Sequence, residues 1–165
     1  MRKTIIIGLA IGASLPGSGI LAQEDGTGLP SLVIEVAVDS LRDVALAVYA
    51  PARGVIYYSP SLQRQLGPEL TAFFRAHEFG HLYHHHTSAN ALVGAPASPD
   101  SLLQERELEA DCYAAHELIG SNRPAVNAAL RFFSRLGSVR FDAEHPTGAQ
   151  RAAHILSCIP EGPAS

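Results

Sequence analysis

Five of the eight histidines in this 165-residue chain stand between His77 and His86. Imidazole is the commonest metal ligand and titrates near neutrality, so this cluster is where chemistry is first sought. His77-Glu78-Phe79-Gly80-His81 is an HExxH sequence. On a helix, positions i and i+4 differ by about 40° around the axis, so both imidazoles project from one face and can reach one zinc ion. Glu78 lies about 100° round from His77. That is too far to make it a third ligand, but close enough to take a proton from a water held at the metal.

Such a helix resembles the zincin arrangement, in which the glutamate is the general base. A catalytic zinc needs three protein ligands and an open position. The stretch after residue 100 offers Glu105, Glu107, Glu109, Asp111 and Glu117. On a helical wheel centred on Glu107, the residues Leu103, Ala110, Asp111, Ala114 and Leu118 fall within about 60°, whereas Glu105, Glu109 and His116 fall on the opposite, solvated side. Glu107 and Asp111 are thus acidic residues set into an apolar stripe, where a carboxylate is costly unless paired or bound to a metal. Glu107 is the expected third ligand, and Asp111 is expected to orient a ligating histidine. The alternative is an ordinary ion pair between Glu107 and Arg75 or Arg131. His84, His85 and His86 read as an extension of the HExxH helix, with His84 near the His77 face and His86 on the far side. At a helix end they suit the dipole and face solvent; a second, weak metal site is the other reading. His116 and His154 read as ordinary surface or core residues.

The elements that must position these groups are mostly helical. Residues 32–38 read as a strand or as the start of a helix reaching about Val48. Residues 55–58 (VIYY) read as a strand, and a short helical turn follows through Leu66. A helix is expected over 68–86, a loop over 87–100, a helix to about Ile119 capped by Asp100 or Ser101, another from Asn122 to Gly137, and a last one over 146–158. The fold class is therefore α+β, mostly α, with a small sheet.

The first 22 residues have the layout of a secretory signal peptide: Arg2 and Lys3, an apolar run over 5–15 too short to span a bilayer, helix breakers at Pro16 to Gly19, and Ala22 at the cut. The expected organisation is a signal peptide over 1–22 and one domain over 23–165, placed in the periplasm or secreted. Removing Arg2 and Lys3 leaves ten arginines against sixteen acidic residues, a net charge of −6. Neither a nucleic-acid footprint nor a polybasic membrane patch is present, and no stable membrane insertion is expected after cleavage. An oxidising compartment permits a disulfide between Cys112 and Cys158; two buried thiols on separate helices are the alternative.

Three motifs fall in order. Residues 77–86, HEFGHLYHHH, fit HExxHxxxxH; residues 107–114, ELEADCYA, fit ExxADxxA; residues 145–151, HPTGAQR, fit HPxxxxR. Together they resemble the zinc metallopeptidases of the HtpX and CAAX-prenyl-protease type, over about residues 55–156. The resemblance implies a compact zincin-like domain holding one zinc per chain through His77, His81 and Glu107. Glu78 is then the catalytic base, and Asp111 supports the ligands. His145 and Arg151 lie near the metal to polarise or hold the scissile carbonyl, and His145 can also approach the zinc in a resting state. The resemblance also implies that strand 55–58 pairs with an extended substrate by strand addition. The chain lacks the transmembrane helices of the best-known members, so a soluble, exported, minimal version is expected, hydrolysing peptide bonds in exported or misfolded proteins. Two other readings stay open. A regulator-cleaving peptidase of the ImmA/IrrE type shares HExxH and the glutamate helix, but the signal peptide and HPxxxxR stand against it. A non-catalytic zinc-binding chaperone or metal buffer has no need of Glu78.

Overall fold

A computed structural model describes residues 29–50, 53–86 and 99–160 of the chain. The signal-peptide reading of 1–22 and the loop over 87–98 lie outside the described residues. Within them run three strands, β1 (Val33–Ala37), β2 (Ala45–Ala50) and β3 (Arg53–Tyr58), and five helices, α1 (Pro60–Leu66), α2 (Pro68–Tyr83), α3 (Asp100–Ile119), α4 (Arg123–Leu136) and α5 (Gly148–Cys158). The mostly helical α+β class holds.

The ambiguous stretch after Leu32 forms two strands, not one helix. Val33, Ile34 and Val36 are β-branched and favour extended backbone, and the bend between them and Ala45 spends its polar groups locally: Asp43 Oδ1 accepts from the Val44 N–H. The strands are ordered β1-β3-β2, with β1 parallel and β2 antiparallel to β3. Strand β3 is therefore central, so the expected pairing of residues 55–58 with a substrate is corrected: both of its sides are already taken. The outer strands are β1 and β2, and β2 is the one that packs with Leu82 of α2 and borders the histidine cluster. The Ser59 N–H donates to the Val44 carbonyl at 3.1 Å. Since hydrogen-bonded and outward pairs alternate along an antiparallel ladder, Leu46 and Val48 face β3, while Ala45, Ala47 and Tyr49 turn their N–H and C=O groups to the free edge.

Helix α1 begins at Pro60 with Ser59 capping the Leu62 N–H. Helix α5 opens on a capping box, Thr147 and Gln150 exchanging side-chain and backbone bonds. Helix α3 follows Pro99 with no side-chain cap, so neither Asp100 nor Ser101 serves as expected. Helix α2 ends at Tyr83, three residues short of the sequence reading, because His85 takes a left-handed φ of 55° and turns the chain back.

The main core joins Phe73 of α2, Ala114 and Ala115 of α3, Val126, Ala129 and Phe133 of α4, and Ala152 and Ile155 of α5. A smaller cluster, Ala45, Ala47, Ile56 and Leu82, seals the sheet onto α2. Helices α2 and α3 cross closely at Gly80, where an added Cβ would lie 2.9 Å from the Ala110 Cα. Only glycine permits this approach, and it brings His77 and His81 against Glu107.

Cys112 and Cys158 form a disulfide, Cα–Cα 5.5 Å, tying α3 to α5 across 46 residues of sequence. A loop of that length predicts about 4 kcal/mol of stabilisation, chiefly by restricting the unfolded chain. Denaturant unfolding in the presence of a chelator, with and without reductant, is expected to show a loss of that order; an unchanged midpoint would mean the staple contributes nothing.

Candidate metal centre

His77 and His81 stand one turn apart on α2, and Glu107 faces them from α3. The His77 and His81 Nε2 atoms are 3.0 Å apart, His77 Nε2 is 3.3 Å from Glu107 Oε2, and His81 Nε2 is 3.2 Å from Glu107 Oε1. Donor atoms about 2.0–2.2 Å from a tetrahedral zinc lie about 3.3–3.5 Å from one another, so the triangle has the size such an ion needs.

The protonation pattern fits too. The His77 Nδ1–H donates to Asp111 Oδ1 at 2.9 Å, which leaves the Nε2 lone pair aimed into the triangle. His81 Nδ1 lies 3.1 Å from His86 Nδ1, and His86 Nε2 lies 2.9 Å from Glu109 Oε2. A proton on each donor in turn, His81 Nδ1–H to His86 and His86 Nε2–H to Glu109, leaves the His81 lone pair aimed the same way. Two lone pairs and a carboxylate facing one another form a donor set that a metal ion or a shared proton can fill. Without a metal ion the proton takes the place. Burial alone would lower the pKa of His77, but the Glu107 and Asp111 carboxylates outweigh it and raise it to about 10. Glu107 is likewise held far below the usual carboxylate range: the His77 and His81 imidazoles overcome the cost of its burial.

Glu107 therefore does not pair as the alternative reading had it. Arg75 pairs with Glu35 on the sheet, and the guanidinium nearest Glu107 is that of Arg151, at 3.7 Å. Asp111 is fully buried, as the wheel expects. It accepts from His77 and, through both oxygens, from Arg151 Nε and Nη2 at 2.7 Å. Arg151 itself is 3% exposed and lies over the Phe133 ring. Its strongest bonds thus go to Asp111, while it also lines the cleft beside Glu107. His145 is more open. Its Nδ1 is held by Asp142 at 2.7 Å, and its Nε2 is 3.7 Å from Glu107 Oε2, at the rim of the cleft.

Glu78 is buried on the other side of the triangle. Burial raises its pKa; the nearby imidazoles and the Ala47 backbone N–H, on the free edge of β2, pull it back. A cleft of about 710 Å³ runs past these groups, the fully buried Asp111 excepted. Its walls are the start of β2, Leu62 and Leu66 of α1, Phe74 of α2, Phe132 of α4 and the segment carrying Phe141 and His145.

The residues that sequence reasoning missed are His86 and Glu109. His86 was expected on the far side of the helix, facing solvent. The left-handed turn at His85 instead folds it under His81, where its side chain is 8% exposed, and burial beside His81, His84 and Arg106 lowers its pKa to about 3. Glu109 lies on the solvated side of α3, as expected, yet its carboxylate holds His86. Outer partners of metal-binding histidines are commonly worth about 10–100-fold in affinity. Glu109→Ala is expected to weaken zinc binding to that extent, measured by competition with a chromogenic chelator; an unaltered affinity would show the relay to be idle.

Comparison with protein-family models, with curated proteins and with solved structures returned no match.

Proposed function

We propose that this chain is a zinc-dependent metalloendopeptidase with a zincin-like active-site helix, acting on peptide bonds of extended or unfolded proteins outside the cytoplasm. The observation that carries this reading is the convergence of His77, His81 and Glu107, with Glu78 between that triangle and the free edge of β2. Zinc, when held by the three side chains, supplies Lewis acidity toward a carbonyl oxygen and acidifies a water.

The protein's own groups do the rest. The edge of β2 offers outward N–H and C=O groups at Ala45 and Tyr49 and the carbonyl of Ala47, so a substrate can add as a further strand. That fixes its scissile bond over α2. Glu78 takes the proton of the attacking water and passes it to the leaving amine, a task suited by the upward shift that burial gives its pKa. His145, oriented by Asp142, faces the cleft and stabilises the developing oxyanion. Arg151 keeps Asp111 ionised and aligned, and Asp111 keeps His77 in the tautomer that ligates. The apolar walls at Leu66, Phe74 and Phe132 favour a large apolar side chain next to the cleaved bond. The disulfide fits an oxidising compartment, as does the signal-like N-terminal sequence.

The test is metal content and cleavage together. Purified from an exporting host, the chain is expected to carry close to one zinc per molecule and to cleave an unfolded protein. A strong chelator should abolish cleavage, and added zinc should restore it. Folded protein that takes up no zinc when the ion is supplied would overturn the reading.

A further inference from the structure

A second set of ligating side chains lies away from the cleft, where α3 meets α5. Cys112 and His116 stand one turn apart on α3, and His154 and Cys158 stand one turn apart on α5. An i, i+4 spacing puts the members of each pair on one helix face, and the disulfide shows that those two faces meet. The ligand atoms of Cys112, His154 and Cys158 lie within 4.8 Å of one another. His116 joins Cys112 and His154 in the wall of an open hollow of about 530 Å³, rimmed by Glu109 and Glu117. Among the described residues neither the His116 nor the His154 ring has a hydrogen-bond or ion-pair partner, so their nitrogens are uncommitted.

We propose that, once the Cys112–Cys158 bond is reduced, these four side chains form a second zinc site of Cys2His2 type. The donor set is the one that structural zinc prefers, with sulfur at about 2.3 Å and nitrogen at about 2.0–2.1 Å from the ion. Around a tetrahedral ion of that size, neighbouring donors stand less than about 4 Å apart; Cys112, His154 and Cys158 start within 4.8 Å, the two sulfurs part on reduction, and the exposed His116, one turn along α3 from Cys112, swings in as the fourth donor. The reductant is a dithiol. Its thiolate attacks one sulfur of the Cys112–Cys158 bond, and two electrons and two protons pass to the protein as the dithiol becomes its own disulfide. Zinc then displaces the two thiol protons to water, and two Zn–S and two Zn–N bonds form. The covalent link between α3 and α5 is thereby exchanged for a metal link at the same place.

Cobalt(II) distinguishes this site from the first, because only thiolate ligation gives a sulfur-to-cobalt charge-transfer band; His77, His81 and Glu107 offer no sulfur. The full chain, oxidised or reduced with a non-thiol phosphine, is titrated with cobalt without oxygen. The oxidised chain is expected to show no such band. The reduced chain should develop one that saturates on one cobalt beyond the amount the oxidised chain takes up, and that vanishes on adding zinc. His154→Ala should weaken that binding by about tenfold or more, and Cys112→Ser with Cys158→Ser should abolish the band. If the reduced, metal-free chain unfolds, recovery of its near-ultraviolet circular dichroism together with the band supports the site; unfolding that metal does not reverse overturns it. A folded, reduced chain without the band also overturns it, as does a band of equal affinity in both His154→Ala and His116→Ala, which would leave a bare dithiolate.

Discussion

Glu78→Gln is expected to keep its zinc and lose hydrolysis by about 10²–10⁴-fold, the usual worth of a positioned general base. Glutamine has nearly the same shape, so the packing of Glu78 beneath β2 survives, and its side-chain carbonyl can still accept from the Ala47 N–H. It cannot take a proton from water. None of the three donor atoms belongs to Glu78, so metal content should not change. The measurement is zinc per chain and turnover of an unfolded protein on the same preparation. Turnover close to wild type would remove Glu78 from the mechanism, and loss of zinc along with activity would make it part of the metal site.

Glu107→Ala is expected to bring zinc from about one ion per chain to almost none under mild chelation. The two histidines that remain are both neutral ligands, so the variant loses the charge that offsets the cation as well as one of three bonds. A second readout separates this from a folding defect. Zinc that binds only the folded state raises the melting temperature of the wild type by mass action. The variant should show no such rise, and its metal-free form should melt somewhat lower than metal-free wild type, because Glu107 is paired there with the His77 and His81 imidazoles; the zinc-induced rise is therefore read within each protein. A normal zinc-induced rise in the variant would show that the ion sits elsewhere.

The sequence carried some parts of this site better than others, for physical reasons. Glu107 and Asp111 were legible because a carboxylate in an apolar helical stripe contradicts its surroundings, and the contradiction needs a partner. His77 and His81 were legible because i, i+4 spacing is local geometry. Arg151 was placed near the metal only through resemblance, and its bidentate pairing with Asp111, 40 residues earlier, is a tertiary choice that no local pattern encodes. His86 was misplaced because one left-handed residue, His85, redirects the chain, and histidine, though enriched there among non-glycine residues, adopts that conformation too rarely to mark a turn as glycine does. The strands before residue 50 were ambiguous because small apolar residues there suit either period. The order of strands was hidden altogether: that VIYY lies in the middle of the sheet depends on partners on both sides.

The unpaired side of β2 has a consequence for the protein in concentrated solution. Ala45–Ala50 is a six-residue run without a charged side chain, and Arg42 and Asp43 put charge only at its entrance. A row of outward N–H and C=O groups cannot tell a guest peptide from the β2 of another copy, and an uncharged edge offers little to repel one. Whatever lets the edge accept a strand therefore also sets a ceiling on how crowded the molecules can become before they compete for one another's edges.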